Sequence, residues 1–113
     1  VFADVNNQMT IAREEIFGPV LTILPYSSEA EAIEIANDTP FGLAAYFYAR
    51  DIGRVWRVAE QLEYGMVGIN EGMISTELAP FGGVKESGIG REGSKYGIDD
   101  FIEIKYLCMG GIS

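Results

Sequence analysis

Histidine is absent from the 113 residues, and with it go the commonest general base and the commonest metal ligand. Chemistry within the chain is thereby confined to carboxylates, lysine, tyrosine, serine and one thiol, Cys108. A single cysteine excludes an internal disulfide, and no apolar run approaches the roughly 20 residues that cross a bilayer as a helix. Basic residues are scarce as well: eight Lys and Arg stand against seventeen Asp and Glu, a formal charge of -9. That balance repels phosphate backbones and anionic lipid, so neither nucleic acid nor a membrane is expected as a partner. A soluble, cytoplasmic setting is the expectation. The opening "VFADV" has no initiator Met and no basic leader, and the chain reads as an excerpt of a longer one.

What is present is 48% hydrophobic, enough for one small domain or part of one. "PVLTILPY" (Pro19 to Tyr26) has the length and apolarity of a strand. Ser28 with Glu31 forms a capping box for a helix over "EAEAIEIAND", which "NDTP" ends near Asn37 because Pro40 disfavours helical geometry at Thr39. "GLAAYFYA" reads as a second, buried strand. Asp51 caps a further helix, with Ile52, Val55, Trp56, Ala59 and Leu62 on one face and Gly65 as its stop. "MVGIN" is a third strand. Strands alternating with helices predict an α/β layer with some parallel pairing.

From Gly72 to Gly97 the chain turns to glycine, serine and charge, and reads as a long irregular connection. Within it "ESGIGREGSKYG" spaces Gly88, Gly90 and Gly93 as G-x-G-x-x-G. That fingerprint binds a dinucleotide only between a strand and a helix, with an acidic residue about 20 positions later. None of this context is met, and the glycines are expected to serve turns at positive φ. "FIEIKYL" then alternates, Ile102, Ile104 and Tyr106 against Glu103 and Lys105, as a strand that needs a partner edge. Cys108 has no histidine to activate it and is expected to be inert. On composition alone, "REEIFGPV" is a helix end followed by a turn.

Read together, "EEIFGPV", "NDTPFGLAAYFYARD", "GMVGIN" and "PFGGVKESGIGREGSKYGIDDFIEIKYL" resemble the C-terminal part of the NAD(P)-dependent aldehyde dehydrogenases, in order and along essentially the whole chain. Through "AAYFYARD", "GMVGINEGMIS" and the ending "CMGG", the chain is most similar to the succinate-semialdehyde branch of that family. The resemblance implies an α/β fold: the C-terminal part of the catalytic domain over residues 1–83, a Gly-rich connector over 84–100 and an oligomerisation arm over 101–113. It implies oxidation of a small aldehyde with NAD or NADP through a cysteine thiohemiacetal and thioester, in a homo-oligomer joined through the terminal strand. The family's cysteine, its glutamate base and its oxyanion asparagine match no position here, so the chain alone is expected to be inactive. Carried over are Glu15, which falls on the family's ribose-binding glutamate, and Phe17, which falls on its nicotinamide-packing phenylalanine. Ser75 matches the serine that holds the substrate carboxylate, and Phe81 the aromatic lining the substrate tunnel. Arg54, Arg57 and Arg91 are candidates for structural pairing only. A non-catalytic assembly module is the alternative from another class, and another aldehyde dehydrogenase the alternative within the same one.

Overall fold

The computed structural model describes residues 1–112. Its elements run α1 (Thr10–Arg13), α2 (Glu29–Asn37), β1 (Phe41–Gly42), β2 (Ala44–Phe47), α3 (Ile52–Gln61), β3 (Met66–Ile69) and β4 (Val84–Lys85), then a 3-10 turn at Asp99–Phe101. β2 and β3 pair in parallel, Ala44 with Met66 through Phe47 with Ile69, and α3 connects them. β1 pairs antiparallel with β4. The strand, helix, strand order read from the sequence is therefore the order found.

Both long helices start where their caps place them. Ser28 Oγ accepts the Glu31 N–H at 3.2 Å, and Asp51 Oδ1 accepts that of Arg54 at 2.7 Å. The reciprocal arm of the capping box shifts by one residue, since the Glu31 carboxylate accepts from the backbone and hydroxyl of Ser27 rather than from Ser28. Those Ser27 bonds hold the Glu31 carboxyl below the usual carboxylate range. α2 ends at Asn37 as expected. Asn37 then ties three segments together: its side chain bonds the Gln61 carbonyl and the Glu63 N–H, and its carbonyl accepts from Lys85 Nζ.

Five expectations need correction. "GLAAYFYA" is not a buried strand, since β2 covers Ala44–Phe47 and Tyr46 and Tyr48 are 49% and 72% exposed. Pro19 to Tyr26 forms a single parallel bridge, Thr22 with Phe2, rather than a strand. Pro19 and Pro25 lack the N–H that a ladder needs, and among the described residues the pairing comes from Phe2 and Val5 alone. The packed face of α3 is Val55, Val58, Ala59 and Leu62, while Ile52 and Trp56 stay 69% and 64% exposed. Gly65 does not stop α3, which ends four residues earlier at Gln61. The residues of "FIEIKYL" form no strand: Phe101 closes the 3-10 turn, and 102–112 carry no regular structure. Alternation defines two faces of a strand, but its N–H groups need an edge to pair with, and they pair with none among the described residues.

Only Val5 and Ile33 are buried hydrophobic residues among those described. The radius of gyration is 19.6 Å, where a compact chain of this length has about 13 Å. The accessible surface is 9146 Å2, against about 6100 Å2 for a folded monomer of this mass. α2 and α3 are held together by polar contacts as well, with Glu29 paired to Arg54 at 2.8 Å and Arg57 at 3.2 Å. The Arg57 bond, followed by that from Arg54, holds the Glu29 carboxyl below its ordinary value. A carboxyl depressed by folding stabilises the fold above its unfolded pKa and ceases to do so as pH falls through the folded value. An acid titration of stability should thus lose a component below about pH 4.3 in the wild type, and Glu29→Gln should lack that component. Superimposable titrations of the two proteins would refute it.

Candidate active-site cleft

The cleft begins where the backbone leaves β3. Asn70 has a φ of 56°, which turns the chain out of the sheet, and residues 71–80 fold back along the strand. Glu71 steadies the first part of this loop, its carboxylate accepting the N–H groups of Gly72 and Met73 at 2.8 and 3.0 Å. Thr76 steadies the second, its hydroxyl accepting from Leu78 and its carbonyl from Ala79. The result is an open cleft of about 200 Å3 between Gly65, Met66 and Val67 on one side and Ile74, Thr76, Ala79, Pro80 and Phe81 on the other. Its lining is mostly apolar.

Phe81 is half-buried in this wall and fixed at its backbone, donating to the Glu92 carbonyl at 2.9 Å and accepting from the Glu92 N–H at 2.8 Å. Gly65 permits the closeness of the two walls, because a Cβ there would run into the carbonyl of Gly82. Ser75 lies on the loop one residue after the cleft-lining Ile74, exposed, with a hydroxyl that bonds nothing among the described residues. Ser75 itself is outside the cleft lining, although the residues on either side of it belong to that lining.

Glu15 and Phe17 stand apart from this cleft lining, just after α1. The Gly18 N–H donates to the Ile16 carbonyl at 2.8 Å, a three-residue turn with Phe17 at its apex, and Val20 to Gly18 repeats the pattern at 2.7 Å. The helix end and turn expected of "REEIFGPV" are what forms. Phe17 is 96% exposed at that apex, and the exposed Glu15 carboxylate accepts no hydrogen bond among the described residues.

The three arginines are engaged as structural partners. Arg54 and Arg57 hold Glu29, and Arg91 donates to the carbonyls of Gly83 and Gly90 at 2.7 and 2.6 Å. Gly88, Gly90 and Gly93 take φ of 120°, 86° and 67°, so the fingerprint spacing serves backbone turns. The glycines lead into the 3-10 turn, where Asp100 accepts the Arg91 N–H. Cys108 is exposed. Among the described residues no group of three His, Cys, Asp or Glu side chains could hold a metal, and no helix is long and apolar enough to cross a membrane. Sequence reading missed Asn70, whose only signal was an asparagine between an apolar strand and a Glu-Gly pair.

A parallel strand, helix, strand unit with an open cleft on the loop that leaves it defines an α/β protein. The chain belongs to the aldehyde dehydrogenase family, whose model matches residues 1–107. It is 62% identical over 112 residues to a succinate semialdehyde dehydrogenase of Acinetobacter baylyi and, equally, to a glutarate-semialdehyde dehydrogenase of Pseudomonas aeruginosa. Each match covers 99% of this chain and 23% of the relative. The crystal structure of an Escherichia coli NADP-dependent enzyme superposes with a TM-score of 0.91 at 61% identity, over 96% of this chain and 22% of that one. The chain thus spans about a quarter of the length of the curated relatives it matches.

Proposed function

We propose that the protein carrying this chain oxidises succinate semialdehyde to succinate with NAD or NADP, and that these residues supply the far wall of the aldehyde site and the nicotinamide-side ribose contact. The nicotinamide would accept the hydride lost by the aldehyde carbon, and water would complete the carboxylate. The nucleophilic cysteine and the glutamate base are assigned to sequence outside these 113 residues, so the chain by itself should oxidise no aldehyde. Glu15 would accept both ribose hydroxyls, Phe17 would limit the swing of the nicotinamide ring, Phe81 would line the aldehyde tunnel, and Ser75 would donate to the substrate's distal carboxylate.

The observation that carries this reading is the equal identity to enzymes named for succinate and glutarate semialdehydes, with an exposed Ser75 on the loop whose neighbouring residues Ile74 and Thr76 line the cleft. Both aldehydes end in a carboxylate. A serine can orient that charge but cannot neutralise it, and the chain's cleft supplies no arginine, so cationic partners are assigned to the rest of the protein. Equal identity to the glutarate enzyme makes the five-carbon semialdehyde the second reading. Residues 1–83 then form the end of the catalytic domain, 84–100 the connector and 101–113 an arm that adds a strand to a partner subunit in a cytoplasmic homo-oligomer.

Ser75→Ala in the full-length enzyme tests this. The KM for succinate semialdehyde should rise roughly tenfold, the cost of one hydrogen bond to a charged group, while kcat/KM for butanal stays unchanged. Equal loss on both aldehydes would sink the assignment.

A further inference from the structure

β3 ends at Ile69, yet its ladder continues by one rung. The Asn70 N–H still donates to the Phe47 carbonyl at 2.9 Å, after which the main chain leaves the sheet. A parallel strand running on would next exchange bonds with Ala49, two residues beyond Phe47. The Asn70 side chain does this instead: Nδ2 donates to the Ala49 carbonyl at 2.7 Å, and Oδ1 accepts the Ala49 N–H at 2.9 Å. A primary amide holds a donor and an acceptor in the arrangement of a peptide group, so one side chain stands in for one rung. The main chain is thereby free to turn at Asn70 while both polar groups of Ala49 stay paired.

Where that turn points decides where the next ten residues run. They return along β3 as the wall that holds Ile74, Thr76, Ala79 and Pro80, and Ser75 rides on the same loop. We propose that Asn70 is a positioning residue: its amide rung on Ala49 sets the path of the 71–80 loop and so the place of the Ser75 hydroxyl against the substrate carboxylate. This inference rests on the reading of Ser75 given above. Asparagine is the residue that meets both demands of the position. Glycine accepts the positive φ but has no amide, and aspartate tolerates that φ but sets a carboxylate oxygen against the Ala49 carbonyl. Glutamine would carry the amide one methylene too far.

The test compares Asn70→Gly and Asn70→Asp with Ser75→Ala in the full-length enzyme, reading amide hydrogen exchange and steady-state kinetics. Asn70→Gly keeps the backbone conformation and removes only the amide; Asn70→Asp keeps the acceptor and is the variant read if the glycine form does not accumulate. Exchange over 71–80 should quicken about tenfold in both while α2 and α3 are unaffected, as expected for two lost hydrogen bonds in a locally opening loop. The KM for succinate semialdehyde should rise roughly tenfold with kcat held within about twofold, the KM for butanal should rise by clearly less because the same loop carries the apolar wall, and the KM for cofactor should not move. Unchanged exchange over 71–80 overturns the positioning role whatever the substrate. Quickened exchange with equal KM increases for charged and uncharged aldehydes overturns the link to the carboxylate. If Ser75→Ala leaves discrimination intact while the Asn70 variants quicken the loop, the Ser75 reading has failed and the positioning of the loop stands.

Discussion

Gly65→Ala should destabilise the protein by about 1–3 kcal/mol or more, the range for forcing atoms into filled space, and should spoil the cleft at the same time. The cause is backbone against backbone. A Cβ at Gly65 would overlap the carbonyl of Gly82, with the Gly82 carbonyl carbon 2.8 Å and the Gly83 Cα 2.9 Å away, and none of these is the end of a side chain that could swing aside. Relief requires residues 82–83 to move off the start of β3. Phe81 precedes them directly, so its ring would shift with them. Gly72→Ala is the control, since a Cβ there meets only the Tyr48 hydroxyl at 3.9 Å. Thermal denaturation of the two variants should show a large fall for Gly65→Ala and almost none for Gly72→Ala. Equal melting temperatures would show that the two walls are free to separate without cost.

The second large effect separates binding from stability. Glu15→Ala in the full-length enzyme should raise the KM for NAD or NADP roughly 10- to 100-fold, because hydrogen bonds to a charged group contribute about 1.5–3 kcal/mol each when no substitute is at hand. The melting temperature should hardly change, since the side chain is exposed and bonds no other residue among those described. Truncation at a half-buried, hydrogen-bonded carboxylate would instead lower both cofactor affinity and melting temperature. Steady-state kinetics with cofactor varied at saturating aldehyde, set beside a melting curve, decides between the two. A cofactor KM within twofold of wild type would remove Glu15 from the ribose site.

Local chemistry was legible in the sequence wherever it is settled within a few residues. Ser28 and Asp51 declared the two helix starts through one hydroxyl and one carboxylate in reach of an N–H three positions on, and Thr39-Pro40 declared the end of α2. The parallel pairing of β2 with β3 followed from two apolar runs separated by a helix. Features that depend on distant chain were hidden. Thr22 finds its only ladder partner twenty positions back at Phe2, and the Asn70 amide finds Ala49 twenty-one positions back. The alternation of "FIEIKYL" identified two faces but carried no information about whether an edge would be present to receive them. The α3 periodicity placed Ile52 and Trp56 on the packed face, whereas the structure leaves both exposed and Val58 half-buried.

The candidate site divides in the same way. The turn before Val20 could be read from Gly18-Pro19, and the connector glycines from their spacing and flanks. No pattern within the chain marked Glu15, Phe17, Ser75 or Phe81 as ligand contacts; a family resemblance singled them out, and the structure adds the exposed ring, the free carboxylate and the cleft.

The thin interior has one last consequence. Among the described residues two hydrophobic side chains are buried and ring-sized groups such as Trp56, Phe101 and Tyr106 are bare, so any surface that covers those groups would favour the folded form. Whatever surface covers those groups acts as a ligand of the folded form, and the folded fraction grows with the logarithm of that surface's concentration over its dissociation constant. Tethering the covering surface in the same polypeptide raises its effective concentration to the millimolar range or beyond and makes the folded form the default.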